Sequence, residues 1–348
     1  MDAATIRRLT GHDRLLTVIV FNMTRHPGVP APVFAALALT WLTAACGSDR
    51  SAAPPSPADR AAGSDSTTAA ASPPSGTCPS APVDVVVSVD QWGDIVTELG
   101  GACTAVKTVL ASSSVDPHDY EPAPAEAASF SGARLIVVNG ADYDHWATDL
   151  AATAAPAAPV VDAAAVTGTE DGANPHLWYK PSAVTAVADA VTAELSRIDP
   201  AAAGYFAERR SAFTTTMQPY SDLIAKIKAA AAGRSYAATE SIFDYQAQAL
   251  GLVNKTPQGY ARAAAAEAEP SPADIDAFRN ALSNREIDVL VFNTQTEGSI
   301  PEQIRITAEQ NGVPVVNMTE TVPPGETTFA GWQEGQLKAL AKALGVTT

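Results

Sequence analysis

The sequence predicts an α/β protein of two lobes, each a parallel-rich sheet flanked by helices, joined by a long connecting helix. Three observations carry this reading. A chain of 348 residues is longer than one hydrophobic core normally organises. Strand-length apolar runs alternate with helix-forming segments twice along it. Between the two alternations, over residues 181–232, strand signals vanish.

The first lobe begins only after a long leader. From Pro32 the run PVFAALALTWLTAAC is apolar, of signal-peptide length, and ends in small residues before Cys46. Leu42-Thr43-Ala44-Ala45-Cys46 resembles a bacterial lipobox, whose cysteine is lipidated and becomes the first mature residue, with Thr43 where leucine is usual. Residues 1–46 therefore read as a lipoprotein-type signal peptide. A start at Met23 would give a leader of normal proportions and leave residues 1–22 as an upstream extension. A plain secretory signal or an uncleaved helix is the alternative, although the Gly-Ser-Asp and the polar tract after Cys46 argue against a stop-transfer helix. Residues 47–80 are Ala, Pro, Ser, Gly, Asp and Thr almost throughout and cannot bury enough surface to offset chain entropy, so they read as a disordered tether.

Residues 81–180 form the predicted N-terminal lobe. The β-branched run 83–89 is a strand, and 91–99 is a helix that Gly100-Gly101 stops. Further strands are expected at 104–110, 135–138 and 159–161, separated by helix-forming segments, which implies a parallel sheet. Cys78 and Cys103 flank the first strand–helix unit, and an exported chain would let them pair; two inert buried thiols are the alternative.

Across residues 181–232, Phe206, Phe213, Met217, Tyr220, Ile224 and Ile227 recur at helical spacing. Pro219 should kink or break this helix. Residues 233–348 form the C-terminal lobe, with strands near 235–238, 287–292 and 313–316 and a closing helix over 332–344.

Composition removes several function classes. The formal charge of -16 repels phosphate backbones, and no basic stripe offsets it, so nucleic acid is not a partner. Three cysteines without a CxxC spacing exclude a zinc finger and a disulfide-dense framework. Any metal site must use other ligands.

Outside the leader the histidines are His118, His145 and His176. His118 stands in DPHDYEP and His176 in NPHLWYKP, each directly after a proline and in a predicted loop beyond a strand, where open α/β sheets place ligands. A lone loop histidine is usually a solvated side chain; two fixed by a preceding proline point to metal ligands, because the restricted loop costs less to order. His145, in DYDHW, reads as a surface residue at a helix start. Asp119 and Glu121 either draw cations in or are simply solvated.

The segments DPHDYEP, NPHLWYKP, ATESIFDY, VFNTQTEGS and VPVVNMTETVPPG, in this order, resemble the manganese/zinc solute-binding proteins of ABC transporters, the TroA-like or ZnuA-like group. The resemblance runs from Val83 to the C-terminus. It implies one metal ion in the cleft between the lobes, held by His118 and His176 of the N-terminal lobe and Glu240 and Glu320 of the C-terminal lobe. Glu320 stands where the group usually carries Asp, one methylene shorter. Asn293 and Gln295 follow a strand and either orient ligands through hydrogen bonds or cap the strand end.

Two imidazoles and two carboxylates suit Mn²⁺, Zn²⁺ or Fe²⁺, and the lack of thiolate argues against copper(I). A carboxylate in third place and the absence of a His-rich loop lean toward Mn²⁺, whereas Zn²⁺ binds such sites more tightly by the Irving–Williams order. The resemblance further implies an ABC permease and its ATPase as partners, a membrane location through a lipid anchor, and a monomer on the outer face of the cytoplasmic membrane. A surface adhesin-like lipoprotein and a metal-dependent hydrolase are the alternatives. No HExxH or GxSxG signature supports an enzyme, and four protein ligands would nearly close the site.

Overall fold

The computed structural model describes residues 76–111, 120–296 and 298–348, all within one unit that runs from Thr68 to Thr348. The leader, Cys46, most of the tether and the 112–119 segment with His118 and Asp119 lie outside the described residues.

The N-terminal half runs β1 (Val83–Val89), α1 (Asp90–Gly100), β2 (Thr104–Leu110), α2 (Pro124–Ala127), β3 (Leu135–Val138), α3 (His145–Ala154), β4 (Val160–Asp162) and α4 (Ala163–Thr167). Three helices follow: α5 (Pro181–Ile198), α6 (Ala203–Thr216) and α7 (Gln218–Ala231). The C-terminal half is β5 (Ser235–Ala238), α8 (Asp244–Leu250), β6 (Val253–Asn254), α9 (Gln258–Ala265), α10 (Pro272–Ser283), β7 (Val289–Asn293), α11 (Ser299–Gln310), β8 (Val315–Met318) and α12 (Phe329–Ala343).

Each half builds one four-stranded parallel sheet, ordered β2-β1-β3-β4 and β6-β5-β7-β8. The two orders are the same pattern repeated. In each, the chain leaves the first strand to one side and returns to its other side for the third, so a crevice opens beyond the carboxyl ends of β1 and β3 and of β5 and β7. Alternation along β1 explains the layers. Val85 and Val87 join one apolar cluster that continues through Trp92, Trp178 and Tyr179 to Phe243 and Met318 of the second lobe, whereas Val86 faces a separate cluster with Phe130, Ile136 and Trp146. α1 lies close on β2 because Gly93 offers no Cβ; one there would collide with the Thr108 hydroxyl.

The connection between the lobes is helical, as expected, and it is segmented into α5, α6 and α7. α5 packs on α1, α4, β3 and β4 and belongs to the first lobe. It ends at Asp199-Pro200, where the residue before proline is pushed to an extended conformation (φ -132°, ψ 82°). The helix that follows loses regularity at Met217, and Pro219 takes a place in the first turn of α7, where a missing N–H costs least. The two-residue strand β6 has no sequence signal of its own and pairs only at Ser235 and Tyr236.

Cys78 and Cys103 form a disulfide with their Cα atoms 5.0 Å apart. His145 starts α3 and is exposed.

The seam between the lobes carries two carboxyls of α1. Asp90 accepts the Val322 N–H (3.2 Å) and Asp94 accepts the Phe329 N–H. Burial, opposed by the backbone N–H groups of Val322, Gln91 and Asp90 itself and reinforced by Asp94, pushes Asp90 up to about 7. An acid raised on folding holds its proton more tightly when folded, so stability is full below pH 4 and declines as pH rises through 7. Asp90→Asn, which keeps an acceptor for Val322 and removes the charge, is expected to be more stable than the parent by about 1–2 kcal/mol at pH 8 and no different at pH 4. Urea unfolding at the two pH values checks this.

Candidate metal centre

The first lobe contributes His176. Asn139, the residue after β3, donates to the Pro175 carbonyl (2.9 Å) and thereby holds the loop directly ahead of the histidine. Asn174 Oδ1 accepts from the His176 backbone N–H (3.0 Å) and lies 2.8 Å from its Nδ1. Nδ1 then carries a proton, which leaves Nε2 as the atom aimed into the cleft. The ring is wedged between Tyr143 and Trp178, with centroids 6.2 and 5.3 Å away.

The second lobe contributes two carboxylates, each at the carboxyl end of a strand. Glu240 follows Thr239 at the end of β5, and Glu320 comes two residues after β8. Glu240 Oε1 is 3.3 Å and Glu320 Oε2 3.6 Å from His176 Nε2, and all three side chains are buried or nearly so. The three ligand atoms lie within 4.8 Å of one another. Ligand atoms about 2.1 Å from a tetrahedrally held dication stand about 3.4 Å apart, so the spacing fits one small ion.

Asn293, the last residue of β7, donates through its amide nitrogen to Glu240 Oε2 (2.6 Å) and to Glu320 Oε1 (2.7 Å). Thr296 also donates to Glu240 Oε2 (2.6 Å). Gln295 Oε1 accepts the backbone N–H groups of Glu320 (2.8 Å) and Thr321 (3.1 Å) and so fixes the turn that carries Glu320. Both residues thus face the ligands instead of merely capping a strand.

Sequence reasoning missed three contributors. Tyr143 donates its hydroxyl to Glu320 Oε2 (3.1 Å), and Gln91 donates to Tyr143 (3.2 Å) and to the Glu320 carbonyl (2.7 Å). Thr296 is the third. Tyr143 reaches the cleft because Gly140, Ala141 and Asp142 all have positive φ (72°, 52° and 63°), a tight left-handed turn that is uncommon for non-glycine residues.

The electrostatics follow from burial. Taken alone, burial would lower the His176 ring, but Glu240 and Glu320 outweigh it and hold it up to about 9. Burial works to raise Glu240, yet His176, Thr296 and Asn293 bring it down to about 2. The raised ring therefore favours an imidazolium beside the Glu240 carboxylate at neutral pH. A dication held by these atoms would have to displace that proton. Glu121, at the edge of the described loop, is exposed, and a cavity of about 500 Å³ is lined in part by Glu240, Tyr260, Glu267 and Thr296.

His176 belongs to the first lobe and Glu240 and Glu320 to the second, and the three side chains converge where the ends of the two parallel sheets meet. This is the architecture of a two-lobed cleft-binding protein. The chain belongs to the ZnuA family, zinc-uptake complex component A periplasmic, whose model matches residues 85–343. Among curated proteins it is similar to the manganese-binding lipoprotein MntA of Halalkalibacterium halodurans, 25% identical over 145 residues, which are 40% of this chain and 48% of that one. It is also similar to the high-affinity zinc uptake system protein ZnuA of Bacillus subtilis, 20% identical over 215 residues, 56% of this chain and 66% of that one. The chain thus spans about half the length of the first relative and just under two thirds of the second. Among solved structures the periplasmic zinc binding protein TroA from Treponema pallidum superposes with a TM-score of 0.64 at 18% identity, covering 76% of this chain and 99% of TroA, a likeness of fold.

Proposed function

We propose that the chain is an extracytoplasmic solute-binding lipoprotein that captures a divalent transition metal, Zn²⁺ or Mn²⁺ with Fe²⁺ as a lesser candidate, and delivers it to an ABC importer. The observation that carries this reading is the buried convergence of His176 Nε2 with one oxygen each of Glu240 and Glu320 across the cleft. The names of the relatives, one manganese-binding and one a zinc uptake protein, agree with it. His118 is the proposed fourth ligand. Cys46 is the proposed lipid anchor, with residues 47–80 as tether, and the permease and ATPase of the importer are the proposed partners.

Capture follows from the geometry. His176 is presented by the first lobe and both carboxylates by the second, so an ion ties the lobes together. Gln91 to the Glu320 carbonyl, Tyr179 to the Thr319 carbonyl (2.7 Å), Asn174 to the Ser241 carbonyl (2.8 Å) and Tyr245 to the Asn174 carbonyl (2.8 Å) already hold them in register. Four protein ligands leave no position for a reacting water, which disfavours a hydrolase.

The test strips the purified protein with chelator and records melts with Mn²⁺, Zn²⁺, Fe²⁺, Ni²⁺ and Mg²⁺ for the parent, His118→Ala and Glu240→Ala. A large rise with a transition metal in the parent, absent from both variants, is the expected result. No rise with any transition metal would sink the reading.

A further inference from the structure

The first turns of α1 grip the segment that follows Glu320. α1 leaves β1 without a loop, since Val89 both ends the strand and precedes the helix, so Asp90 and Gln91 stand at the crevice. Gln91 donates to the Glu320 carbonyl (2.7 Å), and Asp90 accepts the N–H of Val322 (3.2 Å). Asp94 lies one helical turn further along the same face and accepts the N–H of Phe329, the first residue of α12. That N–H is one of those a helix leaves unpaired at its N-terminus, where the dipole also favours a negative charge. Thr328 supplies the other cap by accepting the Gly331 N–H (3.1 Å). A helix of the second lobe is therefore capped in part by a carboxylate of the first.

Residues 322–328 form a strap between these two acceptors, and 324–328 are exposed. Pro323 and Pro324 each fix a φ angle, Gly325 turns at a positive φ of 96°, and the Glu326 N–H bonds back to the Pro323 carbonyl (3.1 Å), so the strap is stiff. Beyond it, Trp332 packs on Phe329 with centroids 5.8 Å apart and donates its indole N–H to the Thr319 hydroxyl (3.0 Å). The first turn of α12 thereby returns to the residue ahead of Glu320. A displacement of the strap is carried to both sides of that glutamate.

Resting on the metal-receptor reading above, we infer that Asp90 and Asp94 are positioning residues that pin the strap to the first lobe and so set how long the cleft retains its ion. Neither carboxyl is among the groups that converge on the metal position. Both pins cross from one lobe to the other, so they break when the lobes part. While they are made, Glu320 stays beside His176; once they are lost, the strap swings away from α1 and draws Glu320 with it. Arrival of the ion depends on diffusion and on the carboxylates of the cleft, which the pins do not alter. Departure depends on what holds Glu320 in place.

The experiment loads the full chain with Zn²⁺, mixes it with excess chromogenic chelator in a stopped-flow instrument, and reads release from the parent, Asp90→Ala, Asp94→Ala, the two corresponding asparagine variants and Glu98→Ala. Each alanine variant should release Zn²⁺ about tenfold faster than the parent with an association rate within about twofold, because a hydrogen bond to a charged group is lost from the closed state. The asparagine variants keep a carbonyl acceptor and should stay within about threefold of the parent. Glu98→Ala removes a carboxyl one turn beyond Asp94 that meets Thr216 instead of the strap, and it should release at the parental rate. Asp90→Ala leaves the cap of α12 intact and answers the question if Asp94→Ala fails to fold. Alanine variants that release at the parental rate, asparagine variants as fast as the alanine ones, or an equal acceleration in Glu98→Ala would each overturn the inference. A parent that binds no Zn²⁺ would instead refute the receptor reading on which it stands.

Discussion

His176→Ala is expected to destabilise the metal-free protein by about 3–5 kcal/mol and to abolish metal-dependent stabilisation. The ring is buried between Glu240 and Glu320, and at neutral pH it is their countercharge. Removing it leaves two buried carboxylates facing each other with Asn293 and the neighbouring hydroxyls between them, and an uncompensated buried charge costs several kcal/mol. In the parent, an ion at a thousand times its dissociation constant adds about 4 kcal/mol, whereas the variant should gain almost none of it. Urea unfolding with and without Zn²⁺ separates the two losses, and a variant that keeps the parental shift would remove His176 from the ligand set. The pH dependence has a definite sign. Because the folded-state value of His176 is raised to about 9, the stabilisation from its pairing is full below pH 6.5 and lost as pH rises through 9. Metal binding at pH 7 should therefore release a proton, and calorimetry in buffers of different ionisation enthalpy would detect it.

Tyr179→Ala is expected to cost about 3–5 kcal/mol, and Tyr179→Phe about 1–2 kcal/mol with a loss of metal affinity. Tyr179 is three residues beyond His176 and fully buried. Its ring meets Trp178, Phe243 and Trp332 with centroids 6.1, 6.5 and 5.9 Å away, which joins the first lobe to the turn ahead of α8 and to α12 of the second. Its hydroxyl donates to the Thr319 carbonyl and lies 2.8 Å from Gln336 Oε1, which in turn accepts the Thr319 N–H (3.1 Å). Truncation opens a cavity under the cleft. Loss of the hydroxyl alone keeps the core but loosens the strand end that aims Glu320, so affinity should fall more than stability. Equal metal affinity in Tyr179→Phe and the parent would show that the Thr319–Glu320 turn is held by Gln295 without help.

The sequence by itself determined the two α/β halves and the residues worth watching. The bounds of β1, β2, β3 and β5 could be read directly from strand-length runs between helix-forming segments, as could the weak point at Pro219. His176, Glu240 and Glu320 were legible through motif context, and Asn293 and Gln295 through their place after a strand. The tertiary structure alone decided which partner each side chain meets. No local pattern brings Tyr143 to Glu320 across 177 residues or Gln91 to its carbonyl across 229, because those contacts exist only when the two sheet ends face each other. It also divided the connecting helix, since α5 buries its apolar face on the first sheet and then needs a turn, which Asp199-Pro200 supplies, before the chain can cross. Periodicity reports that a face is apolar; only packing determines what it meets, and for this protein the packing places one asparagine between two carboxylates.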